Sequence, residues 1–350
     1  APSPTAPCGI SSHGHMNALP LHDVAPGRVL LTGATGFVGC AAHPALVAAG
    51  WDVRCMTRDA DRARARAPGR AWVTGDVSDE DSTARALAGC DAALYLVHGM
   101  ATGGESFHAR EVAQAERFAR AAASAGVKRV VYLGGVAPAG PHASEHLRSR
   151  LDVGAVLRAG AVPAVELRAS MIVGHGSLSW VIVRDLAARL PVMVLPRWLT
   201  SRTEPVAIDD VVAALVGALS MPLAASACFD LPGPEALSGR EILEHTAKIL
   251  GLRHPRMLEV PFLTPKLSSW WVRLVTRADW SIAREIVLGL TDDLLARDER
   301  FWSLIGHSAR LSFDEAARRA LAAEQRDGPI AGPWGALERA LAPAARGRAP

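Results

Sequence analysis

Residues 28–39, RVLLTGATGFVG, set three glycines at three-residue spacing between an apolar, β-branched run and an alanine-rich amphipathic stretch. A chain that puts its most permissive residue where a strand hands over to a helix commits to a tight turn there. Gly33 can take dihedrals that a Cβ forbids, Gly36 removes a side chain where a phosphate would approach the backbone, and Gly39 lets the helix pack close to the sheet. The unpaired N–H groups and positive dipole end of the new helix then face an anion. Thr35 adds a hydroxyl, and Phe37 and Val38 open the helix. Positions 33–39 are therefore a candidate seat for a dinucleotide pyrophosphate. The motif carries that meaning only in context, with a strand before it, a helix after it and further βαβ units beyond.

That context continues along the chain. RVLLT (28–32), DVRCMT (52–57), AWVTG (71–75), AALYLV (92–97), RVVYLG (129–134) and AVELRA (164–169) read as strands. Helical stretches fall between them, at 38–49, about 82–88, 107–125 and 147–159. This alternation predicts an α/β fold, a Rossmann-type doubly wound parallel sheet covered on both faces. After Met171 the rhythm breaks into a Gly/Ser-rich loop, VGHGSLSW, and mostly helical sequence, with ACFDL (227–231) expected to rejoin the sheet. The expected organisation is a leader at 1–26, a dinucleotide-binding core at 27–170, a smaller, mostly helical substrate lobe at 171–340 with strand 226–231 returning to the sheet, and a disordered tail at 341–350. The His-Met pair before Asn17 resembles a cloning junction, so residues 1–15 read as an added leader and Met16 as the native start.

Composition narrows the function classes. A net charge of +3 on 350 residues is too small for a nucleic-acid footprint, and 49% hydrophobic with 21% charged residues is ordinary for a globular chain. The five cysteines form no CxxC pair and fit a reducing, cytoplasmic setting. No apolar run is long enough to span a bilayer; LSSWWVRLVT (267–276) reads as a buried element in preference to a membrane-surface one. Zinc-spaced Cys/His sets, a P-loop lysine and a Gly-x-Ser-x-Gly elbow are missing, so no metal is expected. The expected partner is a small-molecule substrate, and the expected state a monomer or homodimer.

The second strand sets the choice of dinucleotide. An NAD site carries an acid at that strand's tip to hold the ribose 2′-hydroxyl. Here the tip reads RCMTRDADRARAR, with Arg58 at the expected position and Asp59 beyond it. A guanidinium suits a 2′-phosphate, which favours NADP(H) over NAD(H). Asp76 and Val77, in GDVSD after strand 3, fall where the adenine edge would lie.

The stretches LLTGATGFVG, GDVSD, LYLVHGM, RVVYLGGV, HLRSRLDVGAVLRAGAVPAVELRASMIVGHGS, PVAIDDVV and FDLPGPEALSGREIL resemble the NmrA-like, NAD(P)H-binding branch of the atypical short-chain dehydrogenase/reductases, from about Val29 to Phe313. The resemblance implies a Rossmann core and a nicotinamide cofactor, without a particular substrate. It also exposes a departure. Standard members use a serine after strand 5 and a Tyr-x-x-x-Lys pair about a dozen residues later, whereas here Leu133 and Gly134 stand at the first station and His146 and Arg150 at the second. Arginine cannot donate a proton but can hold ribose hydroxyls; histidine can donate one near neutral pH. A helix-surface His146 and an ion-paired Arg150 form the structural alternative. His98 closes strand 4 after Val97, at the carboxyl end that faces the ligand crevice. His146, Arg150 and His98 are thus the candidate catalytic residues, Val97, His98, Leu133, Gly134 and Arg150 line the nicotinamide side, and Met171 and His175 are the candidate substrate contacts. Tyr132 is expected to point into the sheet packing, and Asp209 and Asp210 to favour a helix start. The leading reading is an NADPH-dependent reductase of a small, fairly apolar carbonyl, quinone or conjugated alkene. The alternatives are a non-catalytic NADP(H)-binding sensor or assembly protein, and an NADP-dependent lyase or isomerase.

Overall fold

The computed structural model describes residues 24–97, 105–138, 144–189, 192–196, 200–252, 256–260 and 292–328. Each apolar run that follows a turn signal forms a strand, and each amphipathic stretch between runs forms the crossover helix that a parallel sheet requires. The order is β1 (Arg28–Leu31), α1 (Phe37–Ala48), β2 (Asp52–Thr57), α2 (Ala60–Arg66), β3 (Ala71–Thr74), α3 (Glu80–Leu87), β4 (Ala92–Tyr95), α4 (Glu105–Ser124), β5 (Arg129–Gly135), α5 (Glu145–Ala159) and β6 (Ala164–Ala169). There follow β7 (Ile172–Val173), α6 (Leu178–Arg189), β8 (Val192–Pro196), β9 (Arg202–Thr203), β10 (Val206–Ala207), α7 (Ile208–Ser220), β11 (Ala227–Asp230), β12 (Leu237–Ser238), α8 (Gly239–Ile249) and β13 (Arg256–Val260). The last described helices are α9 (Arg300–Leu304) and α10 (Phe313–Arg326).

Seven strands make one parallel sheet in the order β11-β6-β5-β4-β1-β2-β3. Its two faces are read directly from alternation along β1. Val29 and Leu31 join the layer holding Ala42 and Leu46 of α1 and Val211 and Leu215 of α7, while Leu30 joins Leu87, Phe118, Val153 and Leu157 of α3, α4 and α5. Because both faces are covered, all seven residues of β5 are buried. Arg129, fully buried at the start of β5, donates to the Ala218 and Met221 carbonyls at 2.9 and 3.0 Å, satisfying the end of α7.

Beyond β6 a second cluster forms around Trp180, Ile242 and Phe313, joining α6, α8 and α10. The acids at the α7 start do more than favour a dipole. Asp210, 2% exposed, accepts from the Leu311 amide at 2.9 Å and pairs with His307 Nε2 at 2.7 Å, fastening the C-terminal helices to the sheet. Asp209 pairs with Arg319 of α10 at 3.1 Å. Glu204 and Asp230 accept from the Ala296 and Arg297 amides at 2.6 and 2.8 Å, and burial raises the pKa of both carboxyls. Cys40, Cys55 and Cys90 are free thiols. Among the described residues no helix is long and apolar enough to cross a membrane. Residues 1–23 of the leader, His98, the 267–276 stretch and the tail lie outside the described residues.

Candidate active site

Strand order reverses between β1 and β4, so the crossovers leave their carboxyl ends toward opposite faces and open a crevice there. The glycine turn lies at its edge. Gly33 has φ +63°, and a Cβ on it would stand 2.6 Å from the Leu96 carbonyl oxygen. On Gly39 a Cβ would stand 2.3 Å from the Gly33 carbonyl oxygen and 2.9 Å from Ala34 Cα. The third glycine therefore lets α1 lean on its own turn, not on the sheet as the spacing suggested. Gly36 is different. Among the described residues, the Gly33 carbonyl oxygen at 3.2 Å is the only non-neighbouring atom within 4 Å of where its Cβ would be. Gly36 also caps α1 without a side chain, and no acid stands in the first helical turn. Among the described residues, the positive end of α1 thus has no side-chain cap and no first-turn acid.

Neighbours hold this turn rigid. The buried Thr32 hydroxyl donates to the Leu94 carbonyl and accepts from the Leu96 amide, both at 2.9 Å, which ties the β1 and β4 ends together. Arg70 donates to the Ala34 carbonyl at 3.2 Å and to the Cys40 carbonyl at 3.5 Å. Sequence reasoning missed Arg70, because a single arginine ahead of β3 carries no local signal of a contact 36 residues away. Thr35 is exposed, and Phe37 and Val38 are half-buried. A Cβ on Gly174 would lie 2.9 Å from Phe37 Cζ, so the loop after β7 passes directly over the α1 start.

At the β2 tip, Arg58 is exposed and has no hydrogen-bond or ion-pair partner among the described residues. Its neighbour Asp59 is occupied, since its carboxylate accepts from the Arg62 amide at 2.9 Å and caps α2. Asp59 thus serves the start of α2, and Arg58 stands exposed beside it. Asp76 accepts from the Ser78 amide at 2.8 Å, and Val77 is buried beside it.

The β5 side is where this chain departs from serine–tyrosine–lysine chemistry. Leu133 is buried, and Val97 is half-buried just past β4. A Cβ on Gly134 would meet the Tyr132 ring at 3.0 Å, and one on Gly135 would meet Leu147 Cδ1 at 2.7 Å. Side-chain packing fills the tip where a serine would stand. From α5, His146 stacks on Phe107 with centroids 6.2 Å apart, and burial with the nearby Arg150 guanidinium pushes its pKa down to about 4. His146 is therefore a neutral imidazole at neutral pH, not a cationic proton donor. Among the described residues, the buried Nε of Arg150 and the buried Oε1 of Glu145 have no hydrogen-bond partner. Neither orphan was signalled by sequence spacing. Tyr132 is 1% exposed and its hydroxyl donates to the Arg150 carbonyl at 3.1 Å, in line with its expected place in the sheet packing.

The candidate substrate contacts separate. Met171 is buried in the lobe cluster with Trp180 and Phe313. His175 is exposed, pairs with Asp327 at 2.7 Å, and lines a cavity of about 230 Å³ with Trp180, Arg184 and Glu324. Among the described residues no group of three His, Cys, Asp or Glu side chains is placed to hold a metal ion.

Comparison with known proteins agrees with this geometry. Residues 33–188 match the model of an NAD(P)H-binding family. The chain is 31% identical over 232 residues to a (4-alkanoyl-5-oxo-2,5-dihydrofuran-3-yl)methyl phosphate reductase from Streptomyces griseus, covering 64% of this chain and 74% of the relative. It is 29% identical over 240 residues to a ceramide reductase from Caulobacter vibrioides, covering 68% and 74%. In fold it matches a short-chain dehydrogenase/reductase superfamily protein from Agrobacterium tumefaciens with bound NAD (TM-score 0.61, 21% identity, 85% of this chain and 98% of that one). It also matches MoeE5 in complex with UDP-glucose and NAD (TM-score 0.65, 19% identity, 86% and 99%). The chain belongs to the NAD(P)H-binding, atypical short-chain dehydrogenase/reductases and is an NAD(P)-dependent oxidoreductase.

Proposed function

We propose that the chain is an NADPH-dependent reductase of a small, fairly apolar carbonyl, quinone or conjugated alkene. The observation that carries this reading is a pairing. An uncapped helix start stripped of side chains at Gly36 stands beside the β2 tip, where Arg58 has no carboxylate partner among the described residues and Asp59 is spent on α2. The residues present fit a phosphorylated dinucleotide, because Gly36 leaves the space a phosphate needs and the buried Nε of Arg150 lacks an acceptor. Positions 33–39 would hold the pyrophosphate, Arg58 the 2′-phosphate, and Asp76 and Val77 the adenine edge. Val97, His98, Leu133 and Gly134 would line the nicotinamide side, and Arg150 would hold its ribose. When bound, the reduced nicotinamide supplies a hydride.

The chain's own residues then orient and exclude. Phe37 and the Gly174–Gly176 loop shield the helix start from bulk water, and the neutral His146 offers an N–H at the α5 turn. His175 borders the 230 Å³ cavity, and we assign it and Met171 as substrate contacts. The names of the two reductase relatives support net reduction over redox-neutral chemistry. We place the core at 27–170 and the substrate lobe at 171–340, in a cytoplasmic monomer or homodimer. Titration of tryptophan fluorescence with NADPH and NADH tests the reading. NADPH should bind at least about 10-fold more tightly, the worth of one charge-assisted phosphate contact. Equal affinity would remove the assigned role of Arg58, and no binding of either would remove the reading.

A further inference from the structure

The reductase reading leaves open how the charge created on the substrate is handled, and the β5–α5 side answers that from its own residues. The chain contains two tyrosines. Tyr95 is 2% exposed and edge-on to Phe118 at 4.8 Å, and Tyr132 is 1% exposed with its hydroxyl committed to the Arg150 carbonyl. Both rings lie in the sheet-to-helix layer, and burial raises both phenol pKa values. No phenol is therefore left to act at the strand ends. The serine station is filled by packing at Gly134 and Gly135. The two serines near α5 are also committed, Ser144 as helix cap through the Leu147 amide at 3.2 Å, and the buried Ser149 as donor to Glu111 at 2.9 Å. Ser170 donates to the Glu204 carbonyl at 3.1 Å, and His175 is held by Asp327. His146, stacked on Phe107, is uncharged.

What remains there among the described residues is one cation. The Arg150 Cδ lies 3.6 Å from where a Cβ on Gly135 would be, so the side chain runs along the β5 tip, and its Nε is buried without a partner. A guanidinium keeps its proton but can stabilise an oxyanion through two parallel N–H groups. That equipment separates two reductions. Hydride addition to an isolated carbonyl makes an alkoxide, so basic that a proton must be delivered as the charge forms. Hydride addition to a conjugated alkene makes an enolate, whose charge is spread over oxygen and carbon and which a fixed cation can hold until water protonates it.

We propose that Arg150, whose five N–H donors exceed what the ribose contact uses, also binds the carbonyl oxygen of an α,β-unsaturated substrate as negative charge develops on it, making this chain a reductase of conjugated C=C bonds and not of isolated ketones. The inference rests on the reductase reading and deepens it. In the step, hydride from the reduced nicotinamide forms a C–H bond at the β-carbon. The alkene π pair moves to make the Cα–C bond double, and the carbonyl π pair moves onto the oxygen facing Arg150. Water then gives a proton to the α-carbon, the carbonyl re-forms, and hydroxide returns to solvent.

The test uses the full chain with 4-deuterated NADPH and a panel of cyclic and acyclic enones, each paired with its saturated ketone. Saturated ketone product with the cofactor's deuterium at the β-carbon, solvent deuterium at the α-carbon when run in D₂O, and turnover at least about 100-fold faster than the paired ketone support the proposal. Deuterium at the carbinol carbon, comparable turnover of the ketones, or no turnover of any enone overturns it. A binding readout stands apart from turnover. Protein-bound 4-nitrophenol, a planar oxyanion mimic, should ionise at lower pH with the native chain and R150K than with R150M, as followed by its absorbance; identical ionisation with the native chain and R150M overturns the role of Arg150. NADPH affinity is measured alongside, so that loss of cofactor binding by the native chain identifies failure of the reductase reading itself.

Discussion

Replacing His146 with glutamine removes an imidazole that the fold keeps uncharged, and the effect should appear in stability before it appears in activity. The folded pKa of about 4 lies below the ordinary histidine value of 6.5, with burial as the larger cause and the Arg150 guanidinium as the smaller. As pH falls, the unfolded chain therefore takes up this proton first. Stability contributed by the neutral ring is fully present above about 6.5 and is lost progressively as pH drops toward 4. The full gap is worth roughly 3 kcal/mol, of which roughly 2 kcal/mol is lost by about pH 5. Urea unfolding of the native chain and H146Q at about pH 7.5 and about pH 5 isolates this contribution, because the lost Phe107 stacking shifts both pH values equally. The native chain should lose about 2 kcal/mol more than H146Q between the two pH values. Parallel losses, or an imidazole titrating near 6.5 by NMR, would refute the claim that His146 is neutral at the site.

Three further outcomes follow from the cofactor end. Arg58→Ala should weaken NADPH binding about 10- to 100-fold while leaving NADH binding unchanged, measured by fluorescence titration. Gly39→Val forces a side chain onto the Gly33 carbonyl, so it should abolish NADPH binding and cost about 1–3 kcal/mol in urea unfolding, whereas an alanine at the exposed Thr35 should cost little stability. Alkylation followed by peptide mapping should label Cys40, which is exposed in the first turn of α1, and spare Cys55, whose thiol burial pushes up to about 11. Bound NADPH should slow labelling of Cys40 if the pyrophosphate lies on that turn.

The βαβ frame was legible because the residues that make it answer local demands. Gly33 is glycine for a positive φ, and the alternation of Val29, Leu30 and Leu31 sorts side chains to two covered faces. The β2 tip was half legible. The spacing put Arg58 and Asp59 side by side at the strand tip, but the capping bond from the Arg62 amide to Asp59 is a product of the folded turn. At α5 the four-residue spacing of His146 and Arg150 sets the two close together, yet the burial that most lowers the His146 pKa comes from tertiary packing and has no local signal. The surroundings of Met171 are hidden from the sequence for the same reason. A residue just past a strand end reads as crevice-facing, but the α6, α8 and α10 cluster draws it into the lobe core. Arg70 and the unpaired Nε of Arg150 are products of tertiary packing and leave no trace in spacing.

A crystal structure of the chain soaked with NADPH tests the central claim most directly. The account predicts the pyrophosphate against the backbone amides that follow Gly36, the 2′-phosphate within hydrogen-bond reach of Arg58, and the nicotinamide ring beyond the β4 and β5 ends. Cofactor density at another site, or a 2′-phosphate pointing away from Arg58 with the helix start left bare, would contradict it.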